Sequence, residues 1–354
     1  MYSRRTGVVL LACLVGIGFT LSGPMAGFGA EPEGLEVTLW LDKDTYVLGQ
    51  PIIFVLTLRN ASEHGLWARF DAVGLGNFVM EMAFEGEQYQ KLHYRSIEHF
   101  ATRPPMREFK PGEVRGVSEP IHFRRHRPSV GAATQDEIDL TPWLVCNRTG
   151  SYRLRASVYV DLADKLGDKG SWVVSNEVRF AVRPSAEGYV NFLRFSLEHA
   201  GDGFEISEKG YAAAAEIVGK LEGTPYQKYV RLAMMLHYVS ERMDPEEPSP
   251  KLSDEEKEER EVYKGLAEQI VADPHQRQTR MGEIALVYLL AYELWAQHPQ
   301  DALRYATILQ NELPWSRNAG AVTIIRKQIE DELLSGERVE PRTDKTPSAP
   351  DAGP

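Results

Sequence analysis

The feature that most restricts this chain is a change of rhythm near Pro184. Before it, apolar residues alternate: Ile52, Phe54, Leu56 and Leu58 fall on one side, and Ile53, Val55, Thr57 and Arg59 on the other, which turns polar toward its end. After it, Tyr189, Phe192, Leu193, Ser196 and Leu197 recur every three to four residues. A period of two places alternate side chains on one face of a strand, and a period near 3.6 places them on one stripe of a helix. The chain is therefore expected to fold as a strand-rich part over residues 31–184 followed by an all-α part over 185–336.

In the first part Gly49 and Pro51 bring the chain into the strand at Ile52, and Asn60-Ala61-Ser62 turns it out. Phe78, Met80, Met82 and Phe84 alternate again, as do Tyr152, Leu154, Ala156, Val158 and Val160. Trp172, Val174, Asn176, Val178, Phe180 and Val182 make a partner for that last strand. Short strands between turn clusters predict an antiparallel β-sandwich. Gly150-Ser151-Tyr152-Arg153-Leu154-Arg155-Ala156 resembles the corner that leads into the penultimate strand of immunoglobulin-like and fibronectin-type bacterial sandwiches. The resemblance implies a corner role for Tyr152 and a disulfide-free relative, because Leu154 stands where antibody domains carry cysteine. It implies a fold and hardly any function.

In the second part helices are expected over Tyr189–Leu197, Ala212–Leu221, Tyr226–Arg242, Ser253–Ala272, Thr279–Gln297, Asp301–Leu313 and Ser316–Leu334. Ser253-Asp254-Glu255-Glu256 reads as a capping box, and Thr279–Gln297 is apolar nearly all round, which marks the most buried helix. Ala302–Leu313 followed by Pro314-Trp315 resembles the second helix and proline turn of a tetratricopeptide-like repeat, and Thr224-Pro225-Tyr226 echoes that turn. The two prolines lie 89 positions apart, which is not a multiple of the 34-residue repeat. An open helical stack and a closed bundle both fit this pattern.

Arg4 and Arg5 precede an apolar run from Gly7 to Leu21, and small residues lead on to Ala30, so residues 1–30 read as a secretory signal peptide. This places the protein outside the cytoplasm, secreted or periplasmic, and the resemblance to bacterial sandwiches implies a bacterial cell envelope. No later segment has the roughly 20 apolar residues of a membrane helix. Of two cysteines, Cys13 leaves with the signal and Cys146 remains, which precludes an internal disulfide. The formal charge of −11 argues against general nucleic-acid binding. Residues 337–354, rich in Pro, Thr, Ser and Asp, read as a disordered tail.

No residue pattern assigns a catalytic role, a metal or a cofactor. His122 and His126 are four apart, but in a strand context that spacing spreads them roughly 13 Å apart along one side. Cys146 sits among Trp143, Leu144 and Val145, an apolar setting that makes a thiol inert. Asn60-Ala61-Ser62 and Asn147-Arg148-Thr149 match glycosylation acceptors and are read as turns. Lys91 to Pro128 holds nine Lys and Arg against four Glu, whereas Asp244 to Glu261 holds nine acids against three bases. Solvated loops account for both segments. The alternative is that they meet each other or a charged partner, and Arg124, Arg125 and Arg127 are then the candidate binding residues. The expected function is a non-enzymatic adaptor that engages a protein partner through sandwich loops and a helical surface. An inhibitor of an extracellular protease, using the loops 98–112 and 127–137, is the alternative, and an unrecognised hydrolase is the third.

Overall fold

A computed structural model describes residues 34–69, 77–92, 107–121, 146–164, 167–199, 204–242, 253–313, 316 and 318–335. The expected signal peptide and tail, the histidine pair, and Arg124, Arg125 and Arg127 lie outside the described residues. The chain mixes α and β structure, and among the described residues all strands precede all helices.

Three strands make one sheet: β1 (Leu35–Leu41), β3 (Ile52–Asn60) and β8 (Val114–Ile121), in the order β1-β3-β8. Both pairings are antiparallel. The second sheet is organised by β9 (Gly150–Asp164), a 15-residue strand. It pairs on one side with β10 (Gly167–Val174) and β11 (Val178–Arg183), and on the other with β5 (Asn77–Phe84) and β4 (Leu66–Arg69). The short strands β2 (Thr45–Val47), β6 (Gln90–Leu92) and β7 (Arg107–Phe109) pair with β11, β5 and β4. Only the β2–β11 pairing is parallel among those described. Leu39, Phe54 and Leu56 of the first sheet share one apolar cluster with Met80, Leu154, Val158 and Phe180 of the second.

Asn176 ties the sheets. Its side-chain oxygen accepts from Leu39 N at 2.8 Å and its amide donates to Leu39 O at 2.9 Å, so it stands in for one residue of a neighbouring strand. This corrects one expectation, because the stretch from Trp172 to Val182 is two strands and not one. Ser175 receives Ala156 N through its hydroxyl at 2.9 Å, and Asn176 turns away from β9 toward β1.

A second correction concerns β3. The alternation expects one face in a core and the other turning outward. In the structure both faces are covered: Ile52, Phe54, Leu56 and Leu58 join the strand-rich core, and Ile53 and Val55 join the helical one. Period-two alternation reports which residues share a side but not what covers each side.

The helices are α1 (Tyr189–His199), α2 (Glu208–Val218), α3 (Gln227–Arg242), α4 (Asp254–Ala272), α5 (Pro274–Arg277), α6 (Arg280–Trp295), α7 (Pro299–Glu312) and α8 (Ala319–Ser335). The single-turn α5, capped by the Asp273 carboxylate, is the one the sequence reading lacks. Ser253 and Glu256 form the expected capping box of α4. Helix α6 packs against α3, α4 and α7 and buries Met281, Ile284, Leu286, Tyr288 and Leu289, together with Arg280, Glu283 and Glu293. Glu283 takes the Arg280 guanidinium, the Ser316 hydroxyl at 2.6 Å and the Asn318 amide at 3.1 Å, so the buried carboxylate is paired and hydrogen-bonded. Among the described residues no helix is long and apolar enough to cross a membrane.

Candidate functional site

The most concentrated polar chemistry lies where the strands meet the helices, on the β1–β2 turn, the β2–β3 turn and the start of α3. Asp42 N extends the β1–β3 ladder by donating to Ile53 O at 3.0 Å, which fixes the turn carrying Lys43. Tyr46, on β2, donates to Asp42 Oδ1 at 2.6 Å and sets its ring edge-on to Phe180. The carbonyl of the Gln50 side chain accepts from Val47 N at 2.8 Å and from Lys43 Nζ at 3.0 Å. The Gln50 amide crosses to the helical part, reaching Pro225 O at 3.3 Å. Tyr226 returns the contact by donating to Leu48 O at 2.6 Å, and Lys43 Nζ reaches the Tyr229 hydroxyl at 3.1 Å.

Gly49 makes this close approach feasible. Its φ is +89°, a conformation that disfavours side chains, and a Cβ added there would fall 2.6 Å from the Tyr189 ring. The Gly-Gln-Pro break before β3 thus sets a backbone turn flush against α1 and the start of α3.

Burial dominates the electrostatics of the cluster. It pushes Lys43 down to about 8, helped by Lys228 and opposed by Asp42. It raises Asp42 against the pull of Lys43 and of the Tyr46 hydroxyl, and lowers Lys228. Tyr46 and Tyr229 are held well above the usual phenol range by the same burial. The Lys43 ammonium lies 4.7 Å from the centre of the Tyr46 ring and 5.8 Å from that of Tyr229, so aromatic faces supply part of its compensation. Such an arrangement fastens two elements. Lys43 is also an amine that sheds its proton more readily than an exposed lysine.

A second feature is an open trough of about 760 Å³ across the outer face of the second sheet. Asp44 and Glu85 line it with Arg153 and Arg179, so its charges balance. Nearby, Arg153 and Arg155 lie 5.0 and 4.2 Å from the centre of the Tyr89 ring, and Glu177 takes the Tyr89 hydroxyl and pairs with Arg179 at 3.0 Å.

Among the described residues, those singled out in the sequence are not gathered into one site. Cys146 is buried with its Sγ 3.6 Å from Met82 Sδ, and burial pushes its thiol well above the usual range. Asn60 is fully buried and saturated: its amide donates to His64 O at 2.9 Å and Phe109 O at 2.7 Å, and its oxygen accepts from Ser62 N at 3.0 Å. Its side chain therefore closes a turn. In the charged segments Arg115 pairs with Glu113 at 2.6 Å and Lys257 with Asp254 at 2.8 Å, each within its own segment. Sequence reasoning missed Lys43, Gln50, Tyr226 and Tyr229. The unusual Gly-Gln-Pro turn was the available signal, but nothing local names its partner on α3.

Glu293, His298 and Asp301 place one ligand atom each within 4.8 Å of one another at the α6–α7 turn. Glu293 is engaged by His298 Nδ1 at 2.8 Å and by Lys264 at 3.6 Å, so the cluster is internally compensated.

No family model matches this chain, and no curated protein matches it. Among solved structures it is similar to the sporulation control protein Spo0M from Bacillus subtilis, at 12% identity and a TM-score of 0.21, over 46% of this chain and 55% of that one. It is also similar to a chain titled pT26-6p, at 10% identity and a TM-score of 0.23, over 87% of this chain and 50% of that one. The chain thus spans about half the length of either structure. At these TM-scores neither likeness bears on fold or function.

Proposed function

We propose that the protein is an exported, non-enzymatic interaction module of the bacterial cell envelope. An immunoglobulin-like sandwich over 31–184 is set at a fixed angle to a helical domain over 185–336, whose helices stack in a tetratricopeptide-like or bundled manner. The sandwich reading is supported by Tyr152, whose hydroxyl donates to Arg148 O at 2.8 Å and accepts from Arg148 N at 3.2 Å, the reach back along the chain of a corner tyrosine. Export rests on the amino-terminal pattern of residues 1–30.

The observation that carries the functional reading is the joint. Ile53 and Val55 pack into the helical core, and Lys43, Gln50 and Tyr226 cross to or from the strand-rich part by hydrogen bonds. A linker serving two independent modules needs no such investment, because inter-domain contacts are by default small and mobile. A fixed angle presents two surfaces at one spacing, which suits simultaneous engagement of one partner. The test is a tagged full chain incubated with envelope extract, with untagged chain as competitor. A retained protein that the competitor displaces supports the reading, and recovery of nothing above background contradicts it.

A further inference from the structure

We propose that Arg260 on α4 and Trp295 on α6 form a binding site for a small monovalent anion within the helical part. Arg260 is 2% exposed. Its Nε donates to the Tyr238 hydroxyl at 2.5 Å, and its guanidinium carbon lies 3.9 Å from the centre of the Trp295 ring. Its Nη1 is buried without an acceptor among the described residues, and so is the indole Nε1 of Trp295 on which it stacks. Two orphaned donors therefore sit on one stacked pair.

Their chemistry defines the ligand. A guanidinium has five N–H donors, no acceptor and no accessible neutral form, and an indole nitrogen only donates. The site accordingly wants an acceptor. Nearby carboxylates are engaged elsewhere: Glu293 holds Lys264 and His298, Glu259 takes the hydroxyls of Tyr211 and Tyr263, and Glu261 takes the Tyr292 hydroxyl at 2.7 Å. The stacked ring compensates a buried cation only in part. A water molecule would meet the donors but not the charge. A chloride ion or a formate-sized carboxylate meets both.

The test follows the indole N–H resonances of the full chain, which has six tryptophans, as sodium gluconate is exchanged for sodium chloride or sodium formate at constant ionic strength. The Trp295 resonance is identified by its loss in Trp295→Phe. It is expected to shift saturably in at least one of the two salts, and the two arms tell a halide from a carboxylate. Arg260→Met is expected to abolish the response while leaving the other indoles in place. A Trp295 resonance that stays fixed in both salts overturns the proposal, as does a shift shared equally by all the indoles. Should Arg260→Met not fold, the wild-type titration decides alone.

Discussion

Lys43 Nζ meets the Tyr229 hydroxyl at 3.1 Å although 186 positions separate the two residues. The contact joins a set of polar links made by Gln50 and Tyr226 where strands and helices touch. It places a partly buried cation at the seam, and a buried polar group is tolerated only where its hydrogen bonds are met.

The seam is expected to give the protein an alkaline stability slope. Burial lowers Lys43 to about 8 in the folded state from the usual 10.5, to which the unfolded chain returns. Between those values the unfolded chain binds more protons, so unfolding becomes harder as pH rises. Lys43→Met removes the titrating group. The wild-type unfolding free energy, relative to the variant, is expected to rise by on the order of 1–3 kcal/mol across that window. Urea titrations of both proteins at its two ends measure this, and a flat difference contradicts it.

Ile53 is fully buried in the helical core. Ile53→Ala is expected to cost about 2–4 kcal/mol, as for other deletions from a packed interior. Thr57→Ala, two positions on along the same side of the strand beyond Val55, is expected to stay within about 0.5 kcal/mol. Equal effects in urea denaturation would mean that the outer side of β3 is not covered as described.

Asn176 is the single side chain that holds Leu39 at both N and O. Asn176→Ala is expected to cost about 1–3 kcal/mol, because it strips two partners from a strand edge. Asn176→Asp keeps the shape but loses the donor to Leu39 O, and is expected to be destabilising too. Thermal melts of both variants check the pair, and an unchanged midpoint for Asn176→Asp would remove the clamp from the account.

Cys146 is expected to be inert. In a Cys13→Ser background, a thiol reagent should modify it only at the rate of global unfolding, since burial both hides the sulfur and keeps it protonated. Rapid modification under native conditions would contradict that placement.

The sequence made most elements legible where one periodicity ran long enough. Ile52 to Leu58, Phe78 to Phe84 and Tyr152 to Val160 all fall in strands, and Ser253 marks the start of α4. Legibility stopped at contacts between distant elements. Alternation in β3 could not say that a helical core would cover Ile53 and Val55, and no local pattern pairs Lys43 with Tyr229. The stretch from Trp172 to Val182 misled because its alternation passes unbroken through Asn176, whose side chain bonds a different sheet. Cys146 and Asn60 were readable as structural because their apolar or turn-forming neighbours already accounted for them.

The measurement that most directly tests the joint is calorimetric unfolding of the full chain, read beside Ile53→Asp. Strands and helices sharing a buried seam should melt in one transition, with calorimetric and van't Hoff enthalpies equal, and Ile53→Asp should split or broaden it. Two well-separated transitions in the wild type, with only one of them moved by Ile53→Asp, would contradict a fixed joint and with it the reading of the protein as a rigid interaction module.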